Sequence, residues 1–121
     1  MAQVLTNTGR GQMIVQIAAH LTAPYMGWGT GAGTSGVTDT TLFTEVAAER
    51  ALSTQTVVQT TLPNDTLNNV CVLTSVSGGT YTNAGLFDAS SGPNLWSKTD
   101  FAGVVLGAGD KIQFTNKIQQ T

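Results

Sequence analysis

Two hydrophobic periods divide the chain. Met13, Ile14, Ile17, Ala18 and Leu21 recur three or four residues apart, which lays one apolar stripe along a helix. Asn7 and Thr8 stand ahead of that stripe as capping residues, and Pro24 follows it. The spacing predicts a helix over 9–22, preceded by a short extended arm. From Ser53 onward the period is two. Residues 54–60 are rich in β-branched side chains and run into Pro63-Asn64-Asp65, a turn signal. Over 69–77, Val70, Val72, Thr74 and Val76 fall on one side, and Cys71, Leu73 and Ser75 on the other. A hairpin-type Gly78-Gly79 turn follows.

Residues 80–87 and 95–102 predict two further strands, separated by turn residues from Asp88 to Pro93. In the second of them Leu95, Ser97, Thr99 and Phe101 share a face, which leaves Trp96 pointing outward. Val104, Val105 and Leu106 lead into a tight turn at Gly107-Ala108-Gly109-Asp110. The last strand, 111–118, alternates most cleanly: Ile112, Phe114 and Ile118 point in, while Lys111, Gln113, Thr115 and Lys117 point out.

Between the two halves lies a seam, residues 25–50. Glycines at 27, 29, 31, 33 and 36 free the backbone for turn conformations, and 27–36 reads as a loop. Trp28 has a place to bury its ring there only if the glycines let another backbone approach. Leu42, Val46, Ala47 and Arg50 are spaced three or four apart behind Thr41, a possible cap, so 42–52 has a helical look. A strand bordered by a turn is the alternative, since Leu42 and Phe43 carry β preference. Five or six strands with turn signals every ~8–12 residues predict a mainly β fold. The expected architecture is an antiparallel β-sandwich (jelly-roll-like) with one N-terminal helix and a glycine-rich loop. It forms a single domain over 1–121, with the arm and helix at about 1–22.

Composition changes the picture mainly at the surface. A chain of 121 residues is large enough to hold a core without disulfide or metal. Only 10% of residues are charged, against about 25% in ordinary soluble domains, and Thr, Ser, Asn and Gln fill the polar quota. Such a neutral surface is prone to pack against other protein surfaces. Net charge is −2 with no basic patch, so nucleic acid is not an expected partner. The single cysteine, Cys71, reads as a small buried hydrophobe. Gln16 and His20 interrupt the apolar run after Arg10, which argues against an export signal. No stretch approaches the ~20 apolar residues of a membrane span. The expectation is a soluble chain made in the cytoplasm, with no membrane partner.

Candidate chemistry is sparse. Gly31-Ala32-Gly33-Thr34-Ser35-Gly36 matches the dinucleotide-binding fingerprint literally, but no buried strand precedes it and no helix starts at its last glycine. His20, the only histidine, lacks the partners of a zinc site and has no Gly-x-Ser-x-Gly nucleophile turn to serve. It reads as a helix-surface or interface histidine. Asp39, Asp65, Asp88 and Asp110 sit in turn contexts, where a carboxylate bonds nearby backbone N–H groups. Glu45 and Glu49, with Arg50 beside them, would share a helix face turned to solvent or to a neighbouring subunit. No catalytic, cofactor-binding or metal-ligating residue is assigned, and an enzyme is not expected. Among the aromatics, Tyr25, Trp28, Tyr81 and Trp96 suit sugar stacking or an interface. Tyr81 and Phe87 read as core, Trp28 and Trp96 as contacts.

One ordered set of motifs carries a resemblance. A Thr6-Asn7-Thr8-Gly9-Arg10 start and an apolar helix precede Gly27-Trp28-Gly29-Thr30-Gly31. Asp39-Thr40-Thr41-Leu42 and Glu45 to Arg50 follow, then Ala84-Gly85-Leu86-Phe87-Asp88-Ala89, Ser91-Gly92-Pro93-Asn94-Leu95 and Leu106-Gly107-Ala108-Gly109-Asp110. The order resembles small structural proteins of tailed bacteriophages, especially head decoration or cement proteins. The resemblance implies a non-enzymatic β-sandwich subunit of the virion, assembled in the host cytoplasm. Its implied partner is the major capsid protein, on the outside of the shell. In that pattern a Glu usually precedes Ala-Gly-Leu-Phe, whereas this chain has Asn83. A shell's symmetry axes favour a homo-oligomer, a trimer or dimer. Expected contact residues are Tyr25, Trp28, Trp96, Glu45, Glu49 and Arg50, with the arm at 2–7. The alternative is a tail or fibre component that binds a receptor carbohydrate through Trp28 and Trp96.

Overall fold

Thr6, in extended backbone at φ −70° and ψ 163°, accepts the Gly9 N–H at 3.1 Å and caps helix α1 (Asn7–His20). The computed structural model describes residues 2–92 and 94–120; the expected turn residue Pro93 and the two ends of the 1–121 range lie outside them. The cap therefore falls one residue before Asn7, and α1 runs two residues earlier than its spacing predicts. Its last turn is closed from outside. The Gln55 side-chain amide donates to the carbonyls of Ala18 (3.0 Å) and Leu21 (3.2 Å), which the helix itself leaves free. Ile14 and Leu21 enter the core, and α1 lies against β3 (Thr54–Val58) and β4 (Thr66–Thr74).

The strands form two antiparallel sheets. One has the order β2-β1-β5-β6, built from β1 (Tyr25–Gly29), β2 (Ala51–Leu52), β5 (Gly79–Phe87) and β6 (Leu95–Leu106). The other has the order β3-β4-β7, with β7 at Lys111–Gln119. Met26, Trp28, Tyr81, Ala84 and Leu86 of the first sheet face Leu67, Cys71 and Leu73 of β4. Phe114 of β7 meets the Trp28 ring edge-on at 6.1 Å. The fold is the mainly β antiparallel sandwich with one N-terminal helix that the periodicity predicts. Cys71 and Leu73 are buried while Val72 and Val76 are exposed, as the alternation of 69–77 requires. Burial raises the Cys71 thiol above its ordinary pKa.

Three expectations are corrected. First, residues 27–29 are not loop. They complete β1, an interior strand paired with β2 on one side and β5 on the other. Alternate glycines serve strand packing here: a Cβ on Gly29 would sit 2.2 Å from the Phe43 carbonyl oxygen, and one on Gly85 2.7 Å from that of Ser97. The backbone of Phe43 and Thr44 thus lies against Gly29, so another backbone does approach the glycines.

Second, 42–52 is not a helix. Gly29 bridges Glu45 and Met26 pairs with Ala51, so two residues lie between the partners on β1 and five on the other side. The excess forms the 3-10 turn Ala47–Glu49, an outsized bulge in a broken edge strand.

Third, Gly78-Gly79 closes no hairpin. It carries the chain from β4 in one sheet to β5 in the other, and the Gly107–Asp110 turn likewise carries it from β6 to β7. These two crossings lie side by side, joined by Ser75 N–H to Asp110 O (2.8 Å) and Gly109 N–H to Ser75 O (2.6 Å).

Candidate binding surface around Trp96

The polar side chains of the seam are mostly spent on the fold. The 3-10 turn delivers Glu49 beneath the first sheet, where it is 9% exposed. Its Oε1 accepts the Trp28 indole N–H at 2.7 Å and the Tyr81 hydroxyl at 3.0 Å, and its Oε2 accepts the Val76 N–H at 2.8 Å. Three donors satisfy a buried carboxylate without a counter-cation. Burial raises the Tyr81 phenol above its ordinary pKa, and the neighbouring Glu49 adds to the shift. Tyr81 also bonds Ser75 Oγ (2.8 Å) and stacks on Trp28, ring centroids 3.9 Å apart.

Glu45 and Arg50 form an ion pair on the opposite face, with Arg50 Nη2 donating to Glu45 Oε1 at 2.9 Å. The guanidinium lies 3.5 Å from the Phe87 ring centroid and donates to the carbonyls of Ala89 (3.2 Å) and Gly92 (3.0 Å). Arg50 therefore fixes the β5–β6 turn to the outer face. Lys98 plays the matching part for 35–43. Its ammonium sits 3.3 Å from the Phe43 centroid and donates to Asp39 Oδ2 (2.9 Å) and Thr41 O (2.8 Å). Asp100 accepts the Ser35 N–H at 2.9 Å.

These placements correct part of the expected contact set. The Trp28 ring is 0% exposed and stands in the core, so its side chain offers no contact surface. Glu49 is buried and does not share a helix face with Glu45, because 45–49 is a strand end and a 3-10 turn. Glu45 and Arg50 are half-buried in an internal pair. Tyr25 is half-buried at the start of β1. Tyr81 and Phe87 are core residues as read. Asn83, where the resembling pattern has Glu, is fully buried: it accepts the Phe43 N–H (3.0 Å) and donates to the Phe43 carbonyl (3.1 Å).

Trp96 remains, 38% exposed near the start of β6. Leu86 pairs with Ser97 and Phe87 with Leu95, so Trp96 is the unpaired residue of a β-bulge. Bulges re-aim side chains, and this one turns the indole outward. Two open hollows meet at the ring. One, of about 410 Å³, lies on the side of Ser35 and Val37; the other, of about 650 Å³, is bordered by His20, Asp39, Thr40, Asp88 and Asn94. The His20 ring stands 6.1 Å from Trp96. Asp88 Oδ2 accepts the Asn94 amide at 3.1 Å, and Asp39 Oδ2 accepts the Gly36 N–H at 3.0 Å. The Gly36 N–H and Lys98 together lower the Asp39 pKa.

Sequence reading found Trp96 by alternation, but not its neighbours. Asp39 and Asp88 were legible only as turn residues, and nothing local shows that their turns meet beside one tryptophan. Among the described residues no three His, Cys, Asp or Glu side chains gather in a metal-binding group, and no helix is long and apolar enough to cross a membrane.

Fold and site together define a two-sheet antiparallel β-sandwich whose most accessible aromatic stands on a bulged edge strand. No family model matches the chain, and no curated protein matches it at a significant level.

Proposed function

We propose that this chain is a non-enzymatic structural subunit of a phage particle, a decoration or cement protein that binds the outside of the head and stabilises the shell. The motif order from the Thr6–Arg10 start to Asp110 supports the reading through its resemblance to such proteins. The observation that carries it from the structure is the free side of β6. Among the described residues that strand pairs only with β5, and Val104 and Val105 on it are exposed, Val105 at 78%. An apolar, weakly charged strand edge is a template for pairing with another chain. It is the contact we assign to the major capsid protein or to further copies in a dimer or trimer, in place of Trp28.

Purified protein added to expanded shells that lack it binds them and raises their melting temperature on this reading. Val105→Lys, a gatekeeper charge on the edge, weakens that binding while leaving the isolated fold intact. An image of the particle that places the chain on the tail removes the head assignment. Sedimentation as a monomer, both free and when released from shells, removes the oligomer.

A further inference from the structure

We propose that Trp96 and the larger hollow beside it form a binding subsite for one neutral or amino-bearing pyranose ring of a glycan. The proposal does not rest on the shell-binding reading, which uses the other end of β6.

The inference starts from the bulge. In a regular strand each residue faces a cross-strand partner whose side chain stands beside its own. Trp96 instead occupies the one position with no cross-strand partner between Leu95 and Ser97, and stands between two hollows. An indole face presents negative π density to the weakly positive C–H groups on one side of a sugar ring, while its area removes them from water. The aromatic supplies the platform.

The rim supplies the polar recognition. His20, Asp39, Thr40, Asp88 and Asn94 offer carboxylate, amide, hydroxyl and imidazole groups, the complement of a ring of sugar hydroxyls. Two of them are already held in place. Asp88 is tied through Oδ2 to Asn94, and Asp39 through Oδ2 to Gly36 and Lys98. Each carboxylate keeps its Oδ1 for a ligand hydroxyl, and the rigidity reduces the ordering cost of binding.

Charge then selects among sugars. The hollow holds two carboxylates, and the nearest lysine, Lys98, has its ammonium on Asp39 and over the Phe43 ring. Among the described residues no lysine or arginine borders the hollow. Asp39 is compensated by Lys98, but Asp88 forms no ion pair among the described residues, so an acidic sugar would meet like charge there, whereas a neutral hexose or an amino sugar would not.

The test is a glycan array probed with the full chain, followed by saturation-transfer NMR on the best binders. The expected result is millimolar-range binding of neutral or amino pyranosides and none of sialylated or uronic-acid glycans. Trp96→Ala weakens binding by about tenfold or more, Trp96→Phe recovers part of it, and Asp88→Asn weakens it several-fold with unchanged thermal unfolding. Absence of binding to any glycan at millimolar concentration overturns the proposal. So does binding indifferent to Trp96→Ala, or a preference for acidic glycans. Shell binding measured on the same Trp96→Ala variant separates the two functions: its loss together with absent glycan binding reassigns the patch to a protein partner and overturns the sugar site.

Discussion

Trp28 donates its indole N–H to the Glu49 carboxylate across 2.7 Å, and the pair joins three parts of the molecule. Trp28 belongs to interior strand β1, and Glu49 to the 3-10 bulge of the neighbouring edge. Through Val76 the same carboxylate holds the crossing from β4 to β5. The three extra residues of the bulge bring the Glu49 carboxylate beneath the sheet, beside Val46 and Ala51 of the same edge.

Glu49→Ala therefore leaves the Trp28, Tyr81 and Val76 donors buried and unpaired. A destabilisation of about 3–5 kcal/mol is expected, at roughly 1–3 kcal/mol for each unsatisfied donor after relaxation. Glu49→Gln keeps one acceptor oxygen but turns an NH₂ toward a donor, and costs about 2–3 kcal/mol. Urea unfolding monitored by tryptophan fluorescence measures both. A loss below ~1 kcal/mol for Glu49→Ala would contradict the network.

Two glycines separate packing from flexibility. Gly29→Ala places a methyl 2.2 Å from the Phe43 carbonyl oxygen, a backbone atom that cannot rotate away. It should cost about 3 kcal/mol or more by prising segment 43–46 off β1. Gly36→Ala meets nothing within 4 Å and should be neutral or slightly stabilising. Equal melting temperatures for the two variants would refute the close approach.

Asp65 sets the acid behaviour. Its burial opposes ionisation, but N–H donors of Thr60, Leu62 and Thr61 and the Thr66 hydroxyl outweigh that and hold its pKa well below the usual carboxylate range. A depressed folded pKa contributes stability that is complete above the unfolded value of about 3.9 and is lost as pH falls through the folded value. Asp39 and Asp100 are shifted in the same direction. Stability should fall below about pH 4, and Asp65→Asn should be less stable at neutral pH with a flatter acid limb. An unchanged slope in acid titration of the variant would count against it.

How much of this was legible follows from what each signal measures. The alternation at 69–77 and 111–118 placed Cys71, Leu73, Ile112 and Phe114 inward because one face of a strand meets a core. The same rule failed at β1, where the alternating partner of Met26 and Trp28 is glycine, and glycine at every second position reads as loop. Spacing gave 42–52 a helical look because a three-residue insertion in a strand mimics one helical turn. The Gly78-Gly79 and Gly107–Asp110 turns have hairpin chemistry, yet turn residues do not state which sheet comes next. Glu49 beneath Trp28 and Lys98 over Phe43 are meetings of distant segments, and no local pattern encodes them. Trp96 was legible as outward; the bulge and the meeting of Asp39 with Asp88 were not.

Thr44 stands at φ 49°, a left-handed conformation unfavourable for a β-branched residue. It is held there by the Thr30 N–H bond to its carbonyl at 3.1 Å and by the bridge between Gly29 and Glu45. Thr44→Asn or Thr44→Gly should stabilise the fold by roughly 0.5–1 kcal/mol, relieving strain without loss of the backbone bonds. Destabilisation by both variants would show that the hydroxyl, not the backbone, matters there.

The last prediction joins scaffold to site. Lys98 buries its ammonium against Phe43 and bonds Asp39 and Thr41, so one side chain ties 39–43 down over β6 between the Asp100 bond to Ser35 and the Asn83 bonds to Phe43. Lys98→Met keeps the apolar stem and removes the charge. The cation–π contact alone should cost about 1–2 kcal/mol when lost from a nearly buried site. The consequence is local, because β5 and β6 remain paired without it. Limited proteolysis should then cut within 35–41 several-fold faster than in the wild type, while the thermal transition moves by only a few degrees. Asp39 loses a fixed position beside Trp96 in the same step. Any glycan bound there should weaken with it, although Lys98 itself does not border that hollow. Faster cleavage with unchanged glycan binding would leave Asp39 out of the site and keep Trp96 and Asp88 as its core. Unchanged cleavage would mean that the Asp100 and Asn83 bonds hold the segment without Lys98.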